Sequence, residues 1–226
     1  MAVEWKTYDV EIQIRDRLIG GIPIVAESDD RREQYENWLR GQGVENDPSF
    51  STSLPEMLVA DPEMPVSVED ITGLETGFRR NDKGLYLEAR QIKALLREAS
   101  QRLGLIKVVR GMRQVMQHDL HVRALDGTQR ISLGVVEPNG HDQRPISVLT
   151  RQGPRTSIKR FEYVSQPTLH FQVKILSGGI GDGLLDEERL RDMLVFGGEV
   201  GLGADRSQGE GTYDLLSLTR NDAPDD

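Results

Sequence analysis

The chain has 226 residues, 37% of them hydrophobic and 29% charged, which suits one elaborated globular domain with its own hydrophobic core. No run approaches the roughly 18 apolar residues of a membrane span, and the opening MAVEWKTYDVEIQI lacks the basic-then-apolar order of a signal peptide, so a cytoplasmic protein without a membrane partner is expected. The absence of cysteine excludes a disulfide framework, a zinc ribbon and thiol chemistry.

The net charge of −9 argues at first against a polyanionic partner, but the charges are unevenly spread. Residues 1–80 hold 17 acids and 8 bases, residues 81–175 hold 8 acids and 16 bases, and residues 176–226 hold 12 acids and 4 bases. The middle is therefore basic, either as strand faces balanced by acidic helices or as a track for phosphates.

In chain order, residues 6–14 alternate with the period of a half-buried strand, placing Tyr8, Val10, Ile12 and Ile14 on one face. After Gly20 and Gly21, Ser28 or Asp29 caps a predicted charged helix that runs to about Arg40. Residues 44–84, rich in Pro, Ser, Asp and Glu, read as a long excursion. From Leu85 a helical pattern begins, with Ile92, Leu96, Ala99 and Leu103 as its apolar stripe and Gly104 as its stop. Strands are predicted at about 105–109, 113–124, 129–136, 145–150, 158–164 and 168–176, broken by turn residues at Asp126-Gly127, Pro138-Asn139-Gly140 and Gln152-Gly153-Pro154. A second helix fits Asp186–Phe196, and a last strand, Thr212–Leu218, precedes an acidic tail expected to be disordered. The order strand, helix, strands, helix, strand is that of an α+β protein with a ferredoxin-like or RRM-like core. One domain is expected over residues 1–220, with about 20–84 and 110–158 inserted, followed by the tail at 221–226.

Two features carry chemistry. Between the second helix and the last strand, six glycines fall within fifteen residues, leaving backbone N–H groups unshielded and allowing positive φ, while Arg206 and Ser207 offer a guanidinium and a hydroxyl to phosphate. No Gly-Lys-Ser/Thr follows, so this is not a Walker loop. On the first predicted helix, Arg90, Lys93 and Arg97 fall at i, i+3 and i+7 and form a basic stripe beside the apolar one. Arg79, Arg80 and Lys83 precede it and extend the basic track. His118 and His121 are predicted on opposite sides of one strand, and with His141 and His170 they make no metal-ligand motif. Trp5 and Trp38 read as packing residues.

Three ordered segments resemble the RAMP superfamily of CRISPR-associated RNA-binding proteins. Gly201, Gly203, Arg206, Gly209 and Gly211 are similar to its glycine-rich loop, LYLEARQIKALLREA at 85–99 to its first-helix motif, and KRFEYVSQPTLHFQVKI at 159–175 to a strand pair. The chain departs from the pattern where small hydroxyl residues and a glycine are usual, having Ala89, Arg90 and Gln91 before Lys93 and Ala94 after it. The resemblance implies an RRM-like core whose first helix and glycine-rich loop hold RNA. It further implies a backbone-type subunit that grips guide RNA, with target RNA as a second candidate ligand, copies of itself and other effector subunits as partners, and no cofactor. The alternatives are a RAMP-type endoribonuclease that needs Mg2+, for which Asp29 and Asp30 are the catalytic candidates, and an adaptor of a phage or effector complex that no longer binds RNA.

Overall fold

A computed structural model describes residues 4–24, 75–150, 153–177 and 183–221. These divide into two compact units. The first comprises residues 4–19, 78–139, 163–177 and 183–221, and the second residues 20–24, 75–77, 140–150 and 153–162. The α+β class read from the sequence is what the chain adopts.

The first unit is organised on β1 (Glu4–Ile14), whose alternation buries Tyr8, Val10, Ile12 and Ile14. The strand lies between β11 (Thr168–Ser177) and β12 (Tyr213–Asn221), antiparallel to both, and β7 (Leu120–Ala124) pairs with the far side of β11. The sheet order is therefore β12-β1-β11-β7. A register shift at Glu11/Ile12 lets β1 pair with β12 while keeping its apolar side chains inward.

Two helices supply the apolar layer for that sheet. The first, α1 (Ala89–Arg102), buries Ala89, Ile92, Leu95, Leu96, Ala99 and Ser100. The second, α2 (Glu187–Val200), starts where the Asp186 carboxylate accepts the Arg189 N–H at 2.9 Å, and it carries Glu187 and Glu188 in the first turn, where acids oppose the positive end of the helix dipole. The helices meet at Gly197, where a side chain would collide with the Tyr213 hydroxyl and crowd Leu95. That hydroxyl donates to the Leu194 carbonyl at 2.8 Å, and burial pushes its pKa up. Leu103, expected in the α1 stripe, is instead 39% exposed, because the helix has ended before it.

The remaining elements of this unit are short. β2 (Arg17–Ile19) pairs with Tyr163–Ser165, the end of β10 (Gly153–Ser165). β5 (Arg79–Asn81), β6 (Gly84–Glu88) and β8 (Arg130–Ser132) form a three-stranded antiparallel sheet leading into α1. In the second unit β3 (Ile22–Ile24) pairs antiparallel with β4 (Glu75–Gly77), β4 lies parallel to β10 at Arg160–Phe161, and β9 (Gly140–Thr150) pairs with β10.

Several expectations change. Residues 105–109, and 113–119 of the strand expected at 113–124, are not strands: Leu105–Val108 and Met112–Gln114 are single helical turns, opened by Gly104 and Gly111 at positive φ, and Val115–Asp119 is a π-helical turn. Met112, Val115 and Met116 are buried at i, i+3 and i+4, a helical spacing that a two-residue period mistakes for alternation. His118 consequently sits in that turn, not on a strand beside His121. The predicted first-helix segment begins as strand β6, with the helix starting only at Ala89. Strands β10 and β11, read as a pair, belong to different sheets and follow one another along β2 and β1, with an irregular step at Gln166 (φ 46°) between them. The predicted helix from Ser28 to Arg40, most of the 44–84 excursion and the tail after Asn221 lie outside the described residues.

Leu96 is fully buried between α1 and the sheet, so Leu96→Ala removes its transfer energy and leaves a cavity. Urea denaturation of this variant is expected to show a loss of about 2–5 kcal/mol at an unchanged m-value.

Candidate nucleic-acid interface

The glycine-rich segment is a folded loop with a defined reason for most of its glycines. Leu202 N–H donates to the Gly211 carbonyl at 2.9 Å, closing residues 202–211 on themselves. Ala204 N–H donates to Ile19 O and Gly211 N–H to Arg17 O, each at 3.0 Å, so the loop lies along β2. Side chains at Gly201, Gly203 and Gly211 would run into the carbonyl oxygens of Glu210, Ile19 and Leu202, and all three residues have φ between 71° and 86°. Gly209 also has positive φ, at 84°, but faces open space.

The loop is fastened by an ion pair that local sequence patterns do not reveal, because its members are 193 residues apart. Arg17 donates from Nε and Nη2 to the Glu210 carboxylate, at 2.8 Å for the shortest bond, and its guanidinium lies 5.7 Å from the Tyr163 ring centroid. Glu210 is buried, and a bidentate fork suits such a site because it satisfies both carboxylate oxygens. At the loop's far end Arg15 bridges Glu199 and Asp214, at 2.8 and 2.9 Å. These contacts leave Arg206, Ser207 and Gln208 as an exposed single 3-10 turn.

That turn reaches α1. Arg206 Nη1 lies 3.0 Å from Glu98 Oε2, so the structure brings the loop guanidinium to the helix that carries the basic stripe. Glu98 is on the flank of that stripe, and in this arrangement Arg206 is paired with a carboxylate.

Along α1 the three cations differ in environment. Arg90 is exposed and forms an ion pair with Glu88, Nε to Oε2 at 2.6 Å, while the other oxygen of Glu88 lies 3.3 Å from Arg79 Nε. Lys93 is half-buried and donates to the Gln117 carbonyl at 3.0 Å. Its pKa is lowered, first by burial and then by the Arg97 charge. Arg97 is exposed and has no hydrogen bond or salt bridge among the described residues. The first turn of α1 contains no acid and Glu88 makes no side-chain cap, in contrast to α2; the Ala89 N–H is taken by the Gln129 carbonyl at 2.9 Å. The amino-terminal end of α1 thus adds partial positive charge to the side of the helix where Arg90 and Lys93 begin.

Arg80 lies 3.7 Å from Glu137 and Lys83 3.8 Å from Asp126, and these long, exposed pairs hold little energy. Asp126 is occupied by Thr128, whose hydroxyl and N–H both donate to it and lower its pKa. Arg130 lies over the Tyr86 ring at 5.6 Å, a cation that the basic track read from the sequence did not include. In the second unit His141 faces Glu75 and Glu162, at 3.5 and 3.8 Å. Asp29 and Asp30 lie outside the described residues.

The loop geometry separates two kinds of glycine. Gly211→Ala combines a left-handed backbone with overlap against Leu202, and it is expected to cost about 3 kcal/mol or more. Gly209→Ala meets only the backbone penalty, about 1–2 kcal/mol, and parallel thermal melts of the two variants check the ordering.

No protein-family model matches this chain, and no curated protein matches it. Among solved structures, it is similar to a chain of the cryo-EM structure of the type III-B Cmr-beta bound to cognate target RNA, with a TM-score of 0.50 and 14% sequence identity. The match covers 96% of this chain and 61% of that one, so this chain spans less than two thirds of its neighbour's length. At that identity the likeness is one of fold, and it places this α+β architecture beside that of a subunit of an RNA-bound assembly.

Proposed function

We propose that this chain binds single-stranded RNA through its sugar-phosphate backbone, as a backbone-type subunit of a CRISPR-associated ribonucleoprotein complex in the cytoplasm, with guide RNA and other subunits as its partners. The observation that carries the reading is the pair Lys93 and Arg97. Two cations stand close enough for one to depress the pKa of the other, and neither has a carboxylate partner among the described residues. A folded protein gains nothing from such a pair by itself, whereas a phosphate between them would offset the repulsion.

Three further features support the proposal. The sheet order β12-β1-β11-β7, with α1 and α2 joining its strands, supports the ferredoxin-like or RRM-like core read from the order of elements. The loop that resembles the family's glycine-rich stretch reaches α1 through Arg206, so both proposed grips are parts of one unit. The neighbour in fold comes from an assembly bound to RNA. The grip would be sequence-tolerant, because the groups concerned are cations and backbone amides rather than base-reading side chains.

The test is binding of a labelled single-stranded RNA of about 40 nucleotides over a range of salt concentrations. Wild type is expected to show an affinity that falls steeply with salt, and Lys93→Ala/Arg97→Ala a weaker affinity whose log-log slope is shallower by about 0.7 for each phosphate no longer neutralised. Equal affinity and slope for the two proteins, with both folded by circular dichroism, would overturn the proposal and favour an adaptor role.

A further inference from the structure

Beside the Lys93–Arg97 pair, the edge of the four-stranded sheet holds a cluster that a phosphate grip does not use. The register aligns Thr7, Lys174 and His121 in one row across β1, β11 and β7, with Trp5 two residues along β1 on the same face. On β7 it is Leu120, Val122 and Ala124 that fill the core, so His121 and Arg123 alternate away from it. The Lys174 ammonium lies 5.8 Å from the Trp5 ring centroid and is almost wholly buried, with its residue 6% exposed. A desolvated cation over an indole anchors that indole in one place.

The His121 ring stands against Trp5 with centroids 5.1 Å apart and planes at 82°. In an edge-to-face pair, the ring that contributes its edge keeps both faces uncovered by its partner. His121 Nε2 is 3.1 Å from the His118 carbonyl, and the preceding residue, Gln117, accepts from Lys93, so one turn of chain ties the ring pair to Lys93 in the basic stripe. Burial, and then the Lys93 charge, lower the His121 pKa, which favours the neutral imidazole. β7 is the last strand in the sheet order, so no further strand of that sheet lies beyond it among the described residues.

Single-stranded nucleic acid is held where aromatic faces adjoin cations, the bases stacking and the phosphates pairing. We propose that Trp5 and His121 form a stacking subsite for one unpaired base of a single-stranded RNA whose neighbouring phosphates lie on Lys93 and Arg97. The subsite rests on the phosphate reading above, and it adds a preference for strands that carry bases over bare backbone.

The full chain is titrated with a twelve-residue oligouridylate and with an abasic ribose-phosphate strand of equal length, following tryptophan fluorescence and affinity in parallel. The expected result is a quench with oligouridylate that is lost in Trp5→Phe, and a roughly tenfold weaker affinity for oligouridylate in His121→Ala with no change for the abasic strand. His121→Phe, which keeps a ring, is expected to bind oligouridylate within about twofold of wild type. If His121→Ala binds both strands as wild type does while Lys93→Ala/Arg97→Ala still weakens both, the base subsite is overturned and the phosphate grip stands. An equal loss for His121→Ala on both strands, or a loss in His121→Phe as large as in His121→Ala, also overturns the subsite, since stacking would then not be what His121 supplies. If wild type binds neither strand at low salt, the phosphate grip fails and the subsite with it.

Discussion

The central position of β1 is the constraint on which the rest of the first unit depends. Pairing on both sides over nearly its whole length fixes which of its side chains face the helices, since a slip of one residue would turn Tyr8, Val10, Ile12 and Ile14 outward and bring Asp9 and Glu11 into the core. The outward set is itself arranged across strands. Asp9 accepts from Gln172 and Asn221 at 2.8 and 2.9 Å, and Gln13 accepts from Thr168 at 2.6 Å. Polar pairs of this kind add a second check on register from the face the helices do not cover. With β1 held, β11 and β12 are placed, and with them the two helices and the loop that precedes β12.

The glycine-rich loop shows how a motif that reads as a ligand cradle is also a folding constraint. Three of its glycines are required by carbonyl groups that approach too closely for any side chain, and the Arg17–Glu210 pair secures the loop to β2 from a buried position. What remains for a ligand is the exposed turn Arg206–Gln208 and the open side of Gly209. The loop is therefore held by its own protein contacts and presents a small, pre-formed surface, an arrangement that spares a ligand the entropy of ordering it.

The overall negative charge and a polyanionic ligand are compatible because charge acts locally within a Debye length of about 8–10 Å. Several of the basic residues in the chain are neutralised in place: Arg79 and Arg90 share Glu88, and Arg206, from the last third, is met by Glu98. Glu88 and Glu98, both already counted against the bases of residues 81–175, are thus shared with Arg79 and Arg206 from outside that block. Lys93 and Arg97 carry their charge without a carboxylate partner among the described residues, and the Lys93 charge is felt at His121, which stands against Trp5.

The sequence by itself determined the elements whose partners are local or whose period is strong. The alternation of β1, the apolar spacing of Ile92, Leu96 and Ala99 and a second helix beginning near Asp186 were all legible, because each is written within about a dozen consecutive residues. Tertiary structure decided the rest. Residues 105–119 became helical turns because Gly104 and Gly111 reverse the backbone and Met112, Val115 and Met116 find the core at helical spacing, which short apolar runs do not distinguish from alternation. The separation of β10 from β11, the clasp between Arg17 and Glu210, the diversion of Arg206 to Glu98 and the meeting of Trp5, Lys174 and His121 all join residues far apart in the chain. Local periodicity states which face a side chain takes, and only the closed sheet states what lies on that face beside it.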